Sequence, residues 1–374
     1  MKKNKLLKIL IFSWRGPKHP HQGGAEIVTH EHAKAWVRAG HDVTLFTSHF
    51  DDAEFEETID GVKIIRAGSQ ILTVQLKAFL WYFFRNKNSF DLVIDQFHGL
   101  PFFTPLYVRS QKLAFIHEVT KDVWKYNPLS EPFHTFVSLF GQISEPIIFK
   151  IYRNIPFLTV SKSTKNELIE YGIQSKFIKV IYNGVHVVQT KIGNKKKVIT
   201  FIGAIAKDKG IEDALIVFQS LLNTDYNFWV IGKHDDGYFQ IIQNLVKKYN
   251  LEDRITFWGY VSEKKKFQLL SQSFLVVNPS IREGWGLTVI EAAFTKTPTV
   301  SYKVSGLQDA IINRQTGILV KEKKPEILAN EIRILMKNPV FYKHLQKNAK
   351  KWADYFSWKK ATDQSLRLIE KVSI

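Results

Sequence analysis

Two carboxylates, Glu283 and Glu291, stand eight positions apart in Asn278-Pro-Ser-Ile-Arg-Glu-Gly-Trp-Gly-Leu-Thr-Val-Ile-Glu-Ala-Ala293. So placed, they can form an acid/base pair, hold a metal, or accept hydrogen bonds from sugar hydroxyls, since one carboxylate takes two donors side by side. Taken singly, Glu283 also fits a solvated loop charge, and Glu291 a favourable charge near a helix N-terminus. The turn Gly284-Trp285-Gly286 between them argues for a site, because a plain surface has little use for it. Lys207 and Lys209 follow Gly203 in a strand-to-helix turn and can neutralise a departing diphosphate. His98 and His117 each follow an apolar strand, on the side of a parallel sheet where ligands collect. Gly23 and Gly24 open a helix after the first strand, and a helix N-terminus offers its N–H groups to an anion. A tight turn explains that Gly-Gly pair equally well.

These residues need a scaffold of alternating strands and helices. Phe274–Val277 is a short apolar run stopped by Pro279, and from Leu287 the apolar spacing turns helical at Leu287, Ile290 and Phe294. Further buried strands are expected at Leu7–Ser13, His41–Thr47, Val62–Ala67, Phe90–Asp95, Lys112–Ile116, Phe157–Ser161 and Lys179–Tyr182. The second half repeats the pattern at Val198–Ile202, Asn227–Ile231, Ile255–Trp258, Thr299–Tyr302 and Thr316–Val320. Helices are expected from Gly24 to Ala39, Leu72 to Arg85, Ser161 to Tyr171, Gly210 to Leu222, Pro325 onward and Trp358 to Val372. Asp51–Glu57 reads as an exposed acidic loop. Residues 119–153 are basic and aromatic, which fits either core packing or a membrane interface. The same choice holds for the aromatic 72–85 helix.

The 374 residues suit two α/β domains. The expected division is an N-terminal domain 1–186, a linker 187–197, a C-terminal domain 198–345 and returning helices 346–374. With 45% hydrophobic and 24% charged residues the chain is globular, and its net charge of +18 suits nucleic acid, anionic lipid or phosphorylated ligands. No nucleic-acid recognition motif accompanies the charge, so no nucleic-acid partner is expected. The absence of cysteine excludes disulfides, thiolate metal sites and a cysteine nucleophile. No run of about 20 apolar residues occurs, so no membrane span is expected. A cytoplasmic protein, peripheral on the inner face of a membrane, fits these features.

The motif Pro-Ser-x-x-Glu-Gly-x-Gly-Leu-x-x-x-Glu-Ala at 279–292 resembles the signature of the retaining glycosyltransferases of family 4. The resemblance implies the GT-B architecture, two Rossmann-like domains facing across a cleft. It also implies a nucleotide-sugar donor, UDP- or GDP-linked, used without a metal or other cofactor, and a glycan or lipid-linked acceptor. By resemblance Glu291 holds the donor ribose, and Glu283, with Gly284, Trp285, Gly286 and Leu287, lies near its sugar and phosphates. Gly23 and Gly24 face the diphosphate, with Arg15, His19 and His98 towards the acceptor. His117 lies near the reacting sugar, and Tyr260 and Val261 near the nucleobase. Gly203, Lys207 and Lys209 hold the diphosphate. Ala204 occupies the position of the family's usual Arg, His186 that of its Asp, and Ser305 and Asp309 those of a Gly and a Glu. The loss of that Arg makes a weakly active nucleotide-sugar-binding partner protein the alternative reading.

Overall fold

The computed structural model describes residues 5–70, 73–127, 131–186, 188 and 193–374. The chain divides into two compact units, 1–184 with 358–374, and 185–357.

In the first unit the order is β1 (Lys8–Ser13), α1 (Gly24–Arg38), β2 (Asp42–Thr47), β3 (Glu56–Ile59), β4 (Val62–Arg66), α2 (Thr73–Trp81), β5 (Leu92–Phe97), β6 (Gln111–Ile116), α3 (Phe133–Tyr152), β7 (Phe157–Thr159), α4 (Lys162–Glu170) and β8 (Ile178–Val180). The sheet runs β3-β4-β2-β1-β5-β6-β7-β8. Every pairing is parallel except the edge strand β3, which turns back on β4. Strand β3 overlaps the expected acidic loop. Its alternately exposed residues give no apolar run to read. Strands β1 and β5 are almost wholly buried, which is why they read as continuous apolar runs.

Register places Leu10, Phe12, Val93, Asp95, Phe97, Ala114 and Ile116 on one face of this sheet. Helices α2 and α3 cover that face, through Val74 and Ala78 from α2, with the following Tyr82, and Ile148, Phe149 and Tyr152 from α3. The 72–85 expectation ends differently. Leu72 lies outside the described residues, and after Trp81 the helix widens into a π-type turn, Tyr82–Asn86. Core packing accounts for the inner side of both helices only. Phe133, Phe136, Leu139, Phe140, Ile143 and Ile147 stand exposed along α3, as do Leu76, Leu80, Phe83 and Phe84 along α2 and its extension.

The second unit follows as β9 (Val198–Ile202), α5 (Ile211–Gln219), β10 (Asn227–Ile231), α6 (Asp236–Lys248), β11 (Ile255–Gly259), α7 (Glu263–Gln272), β12 (Leu275–Asn278), α8 (Leu287–Phe294), β13 (Thr299–Tyr302), α9 (Leu307–Ala310), β14 (Gly317–Val320), α10 (Pro325–Lys337) and α11 (Pro339–Ala353). Its all-parallel sheet runs β11-β10-β9-β12-β13-β14. Of the expected linker, 187 and 189–192 lie outside the described residues. Residues 193–197 are packed on this unit, with Gly193 N–H donating to Ser271 Oγ at 3.2 Å and Lys195 Nζ to Thr295 O at 3.2 Å. The unit opens and closes side by side, through a parallel bridge between Val185 and Ser357.

The final helix, α12 (Trp358–Val372), belongs to the first unit and packs on α1 through Ala361, Ser365 and Ile369, four residues apart. The return begins at Trp358, later than the expected 346, because α11 packs on α8 within the second unit.

Candidate active site

In the second unit, two loops at the C-terminal ends of adjacent strands lie side by side. One follows β9 and carries Lys207–Lys209, and the other follows β12 and carries Glu283. Ile281 N–H donates to Asp208 O at 2.9 Å. Gly210, at φ +72°, lets the chains touch, since a Cβ there would lie 2.2 Å from Pro279 O. Gly306 does the same behind the second loop, where a Cβ would meet Glu283 O at 2.1 Å. This packing brings Lys209 Nζ to 3.0 Å from Glu283 Oε1, which also accepts from Ser280 Oγ at 3.0 Å. Asp208 lies 3.7 Å from the same ammonium. Lys209 and Glu283, 74 residues apart in sequence, thus form one half-buried ion pair.

The expected donor residues divide on inspection. Gly284 is partly exposed on the loop and Leu287 on the first turn of α8, while Gly286, in left-handed conformation, is buried at the cap between them. Trp285 is buried and packs edge-on against Phe356 at 5.0 Å, so its ring braces the loop and offers no face to a ligand. The N–H of Gly203 donates to Ile231 O at 3.0 Å, extending the sheet, which removes it as a phosphate donor. Ala204 and Lys207 are exposed beside it. Tyr260 is exposed beneath Lys233, whose Nζ lies 4.7 Å from the ring centre. Val261 packs inward on a core cluster with Trp258 and Ala292.

Glu291 sits one turn into α8, largely buried, with Lys266 Nζ donating to its Oε1 at 2.7 Å. Its Oε2 is buried with no hydrogen-bond partner among the described residues. Burial pushes the Glu291 pKa up, against the lowering pull of Lys266. Lys266 is a residue that sequence reading missed. It stands in the run Lys264-Lys265-Lys266, and only helical spacing, three and four residues before buried Leu269 and Leu270, marks it as inward-facing.

In the first unit His117 follows β6, 8% exposed, and its Nε2 is buried without a hydrogen-bond partner among the described residues. Desolvation, then the charges of His32 and His98, push its pKa down to about 3. The ring is therefore neutral at physiological pH and can meet a cationic centre without repulsion. His32 on α1 is a second buried histidine, with its pKa lowered to about 4 by burial. Both rings flank Phe115, at 5.9 Å for His32 and 4.4 Å for His117. His98 faces Glu118, Nδ1 to Oε1 3.6 Å.

Three first-unit expectations change. Arg15 pairs through Nε with Glu26 at 3.1 Å and donates through Nη1 to His21 O at 2.7 Å, so two of its donors go to the start of α1. The N–H of Gly23 donates to Glu26 Oε2 at 2.7 Å, so the buried carboxylate of α1 occupies a donor expected to face phosphate. Gly24 begins α1 behind it. His19 is buried against Phe50, its Nδ1 accepting from His21 N–H at 3.1 Å, which turns it from an acceptor contact into a loop brace. Among the described residues no group of three or more His, Asp or Glu converges as a metal site.

Comparisons with known proteins fit this arrangement. A family description, Glycosyltransferase Family 4, matches residues 22–189, and another, Glycosyl transferases group 1, matches residues 186–352. An uncharacterised glycosyltransferase of Methanocaldococcus jannaschii is 30% identical over 216 residues, which span 58% of this chain and 59% of that protein. A second from the same organism is 25% identical over 94% of this chain and 95% of its own. Among solved structures, sucrose-phosphate synthase from Thermosynechococcus elongatus superposes with a TM-score of 0.80 at 21% identity, over 98% of both chains. Anabaena HepE, in complex with UDP and glucose, has a TM-score of 0.73 at 16% identity, over 98% of this chain and 100% of that one. The two parallel-sheet units, the loop-to-helix junction with Glu283 and Glu291, and the adjoining family matches agree: the chain belongs to the group 1, family 4 glycosyltransferases and has their GT-B fold.

Proposed function

We propose that the protein transfers a hexose-type sugar, with retention and without a metal, from a UDP- or GDP-linked donor to a glycan or lipid-linked acceptor in surface polysaccharide or glycolipid assembly. The observation that carries the reading is the joined pair of loops that sets Lys209 against Glu283, followed one helical turn later by Glu291. The Glu291 carboxylate accepts from the ribose diol. Glu283 orients the sugar. Lys209, the positive charge held where the two loops meet, supports the leaving diphosphate. Lys207 supplies a second point charge where Ala204 leaves out the family's Arg. The bond from the anomeric carbon to the diphosphate oxygen breaks while the acceptor oxygen bonds to the same face. The acceptor proton passes to the departing diphosphate. Neutral His117 serves the reacting sugar as a hydrogen-bonding group that adds no positive charge. The UDP and glucose bound to HepE favour UDP among the possible donors.

The exposed apolar stripe of α3 supports an acceptor presented at an anionic membrane surface, given the chain's net charge of +18. Among the described residues no helix is long and apolar enough to cross a membrane.

The test is a screen of UDP-, GDP-, ADP- and dTDP-sugars in EDTA, reading nucleoside diphosphate release, beside Glu291→Gln. Release from one donor, abolished by the variant, is the expected outcome. Nucleoside diphosphates that produce no thermal shift would sink the reading. Binding without release points instead to a missing acceptor.

A further inference from the structure

We propose that Lys266 is a positioning residue for the nucleotide: by pairing its ammonium with Oε1 of Glu291 it holds the carboxylate turned so that its second oxygen serves the ribose. The inference rests on the proposed role of Glu291 in donor binding. Helix α7, which carries Lys266, has no part in the resemblance to the family signature. The structure nevertheless gives its lysine two carboxylate partners, Glu291 Oε1 at 2.7 Å and Glu263 Oε1 at 2.8 Å. The Lys266 side chain is mostly buried, while that of Glu263 is half exposed, so the two contacts differ in weight. The Glu291 contact crosses from one helix to the next, fixing a side chain that otherwise has several rotamers.

Oε2 of Glu291, without a partner among the described residues, points to a ligand. A buried carboxylate oxygen without a donor is costly in a folded protein, and a hydroxyl that reaches it removes the cost. Burial favours the protonated carboxyl, and the Lys266 ammonium is the largest influence opposing it. Without that ammonium the main pull against burial is gone, and Glu291 Oε1 loses the partner that fixes the carboxylate towards a diol. Lys265, the preceding residue, lies over the Trp258 ring at 4.6 Å and cannot stand in for its neighbour.

The experiment measures binding by titration calorimetry of UDP, GDP and their 2′,3′-dideoxy analogues to wild type, Lys266→Met and Glu263→Gln. Wild type should prefer the ribose form of its nucleotide by about tenfold or more, as expected for a charged hydrogen bond. Lys266→Met should shrink that preference towards unity while leaving dideoxy affinity nearly unchanged. Glu263→Gln should keep it, since Lys266 still holds Glu291. A merely structural lysine would weaken both forms equally and leave the ratio intact, and that result overturns the proposal. Should Lys266→Met fail to fold, Lys266→Gln, which keeps an N–H donor and removes the charge, reads the same ratio. A wild-type ratio near one, or no binding of UDP or GDP, would overturn the donor reading of Glu291 itself, and this proposal with it.

Discussion

Lys209 and Glu283 are each other's counter-charge, so neither acts alone. Lys209→Met removes the positive charge nearest the expected leaving group. Loss of such a stabilising donor costs about 3 kcal/mol, a fall in kcat of roughly a hundredfold or more with a smaller change in KM. Steady-state kinetics decide it, and an equal loss in KM alone would assign the lysine to ground-state binding. The buried histidines make a separate prediction about stability. His117 and His32 titrate at about 3 and about 4 in the fold, against 6.5 in the unfolded chain. Between those values the unfolded state binds more protons. The stability is therefore full above pH 6.5 and is lost as the pH falls towards 4. His32 alone accounts for about 3 kcal/mol of that loss. Urea midpoints at pH 7 and 4.5 should differ, and His32→Asn should reduce the difference. An unchanged slope would show that other groups control acid unfolding.

At the scale of elements, α3 has two unlike sides. Its inner side carries Gly141, where a Cβ would lie 2.1 Å from the Trp124 ring, and Glu145, which accepts from the N–H groups of Thr120 and Lys121 at 2.8 and 2.9 Å. Its outer side carries Phe136 and Phe140, stacked at 6.0 Å and both exposed. Replacing both phenylalanines with serine should leave the melting temperature nearly unchanged, because neither supports the core. Binding to anionic vesicles should fall by about tenfold or more, each ring contributing on the order of 1.5–3 kcal/mol when fully buried. Flotation with and without anionic lipid measures it, and equal binding by variant and wild type would remove α3 from the interface.

At the scale of the molecule, α12 ties the end of the chain to its first helix. Ser365 Oγ donates to Thr362 O at 3.0 Å and accepts from Trp36 Nε1 at 3.1 Å. Its one proton is therefore spent, and His32 Nδ1, at 2.8 Å, must donate to it as well. The lone pair of neutral His32 then falls on Nε2, which has no hydrogen-bond partner among the described residues. Ser365→Ala strands two buried donors and should cost roughly 2–4 kcal/mol, read as a lower denaturant midpoint of the first unit. A loss below about 0.5 kcal/mol would mean that α12 is held by its apolar contacts alone.

The sequence by itself determined the alternation of strands and helices, the two-unit division and the strand-to-helix junction that bears Glu283 on its loop and Glu291 on its helix. Strands buried on both faces leave continuous apolar runs, as in Val198–Ile202, and caps such as Ser161, which accepts from Thr164 N–H at 3.1 Å, are local chemistry. Tertiary structure decided which charges meet. Lys209 reaches Glu283 across 74 residues, Lys266 reaches Glu291 across 25, and Arg15 turns inward to Glu26. It also decided that Trp285 and His19 are braces and that one side of α3 faces solvent. Apolar periodicity reports that a helix has an apolar side, but burial depends on what the rest of the chain brings against it. An ion pair between distant residues follows from the packing of two loops, and composition along one segment carries no record of that packing.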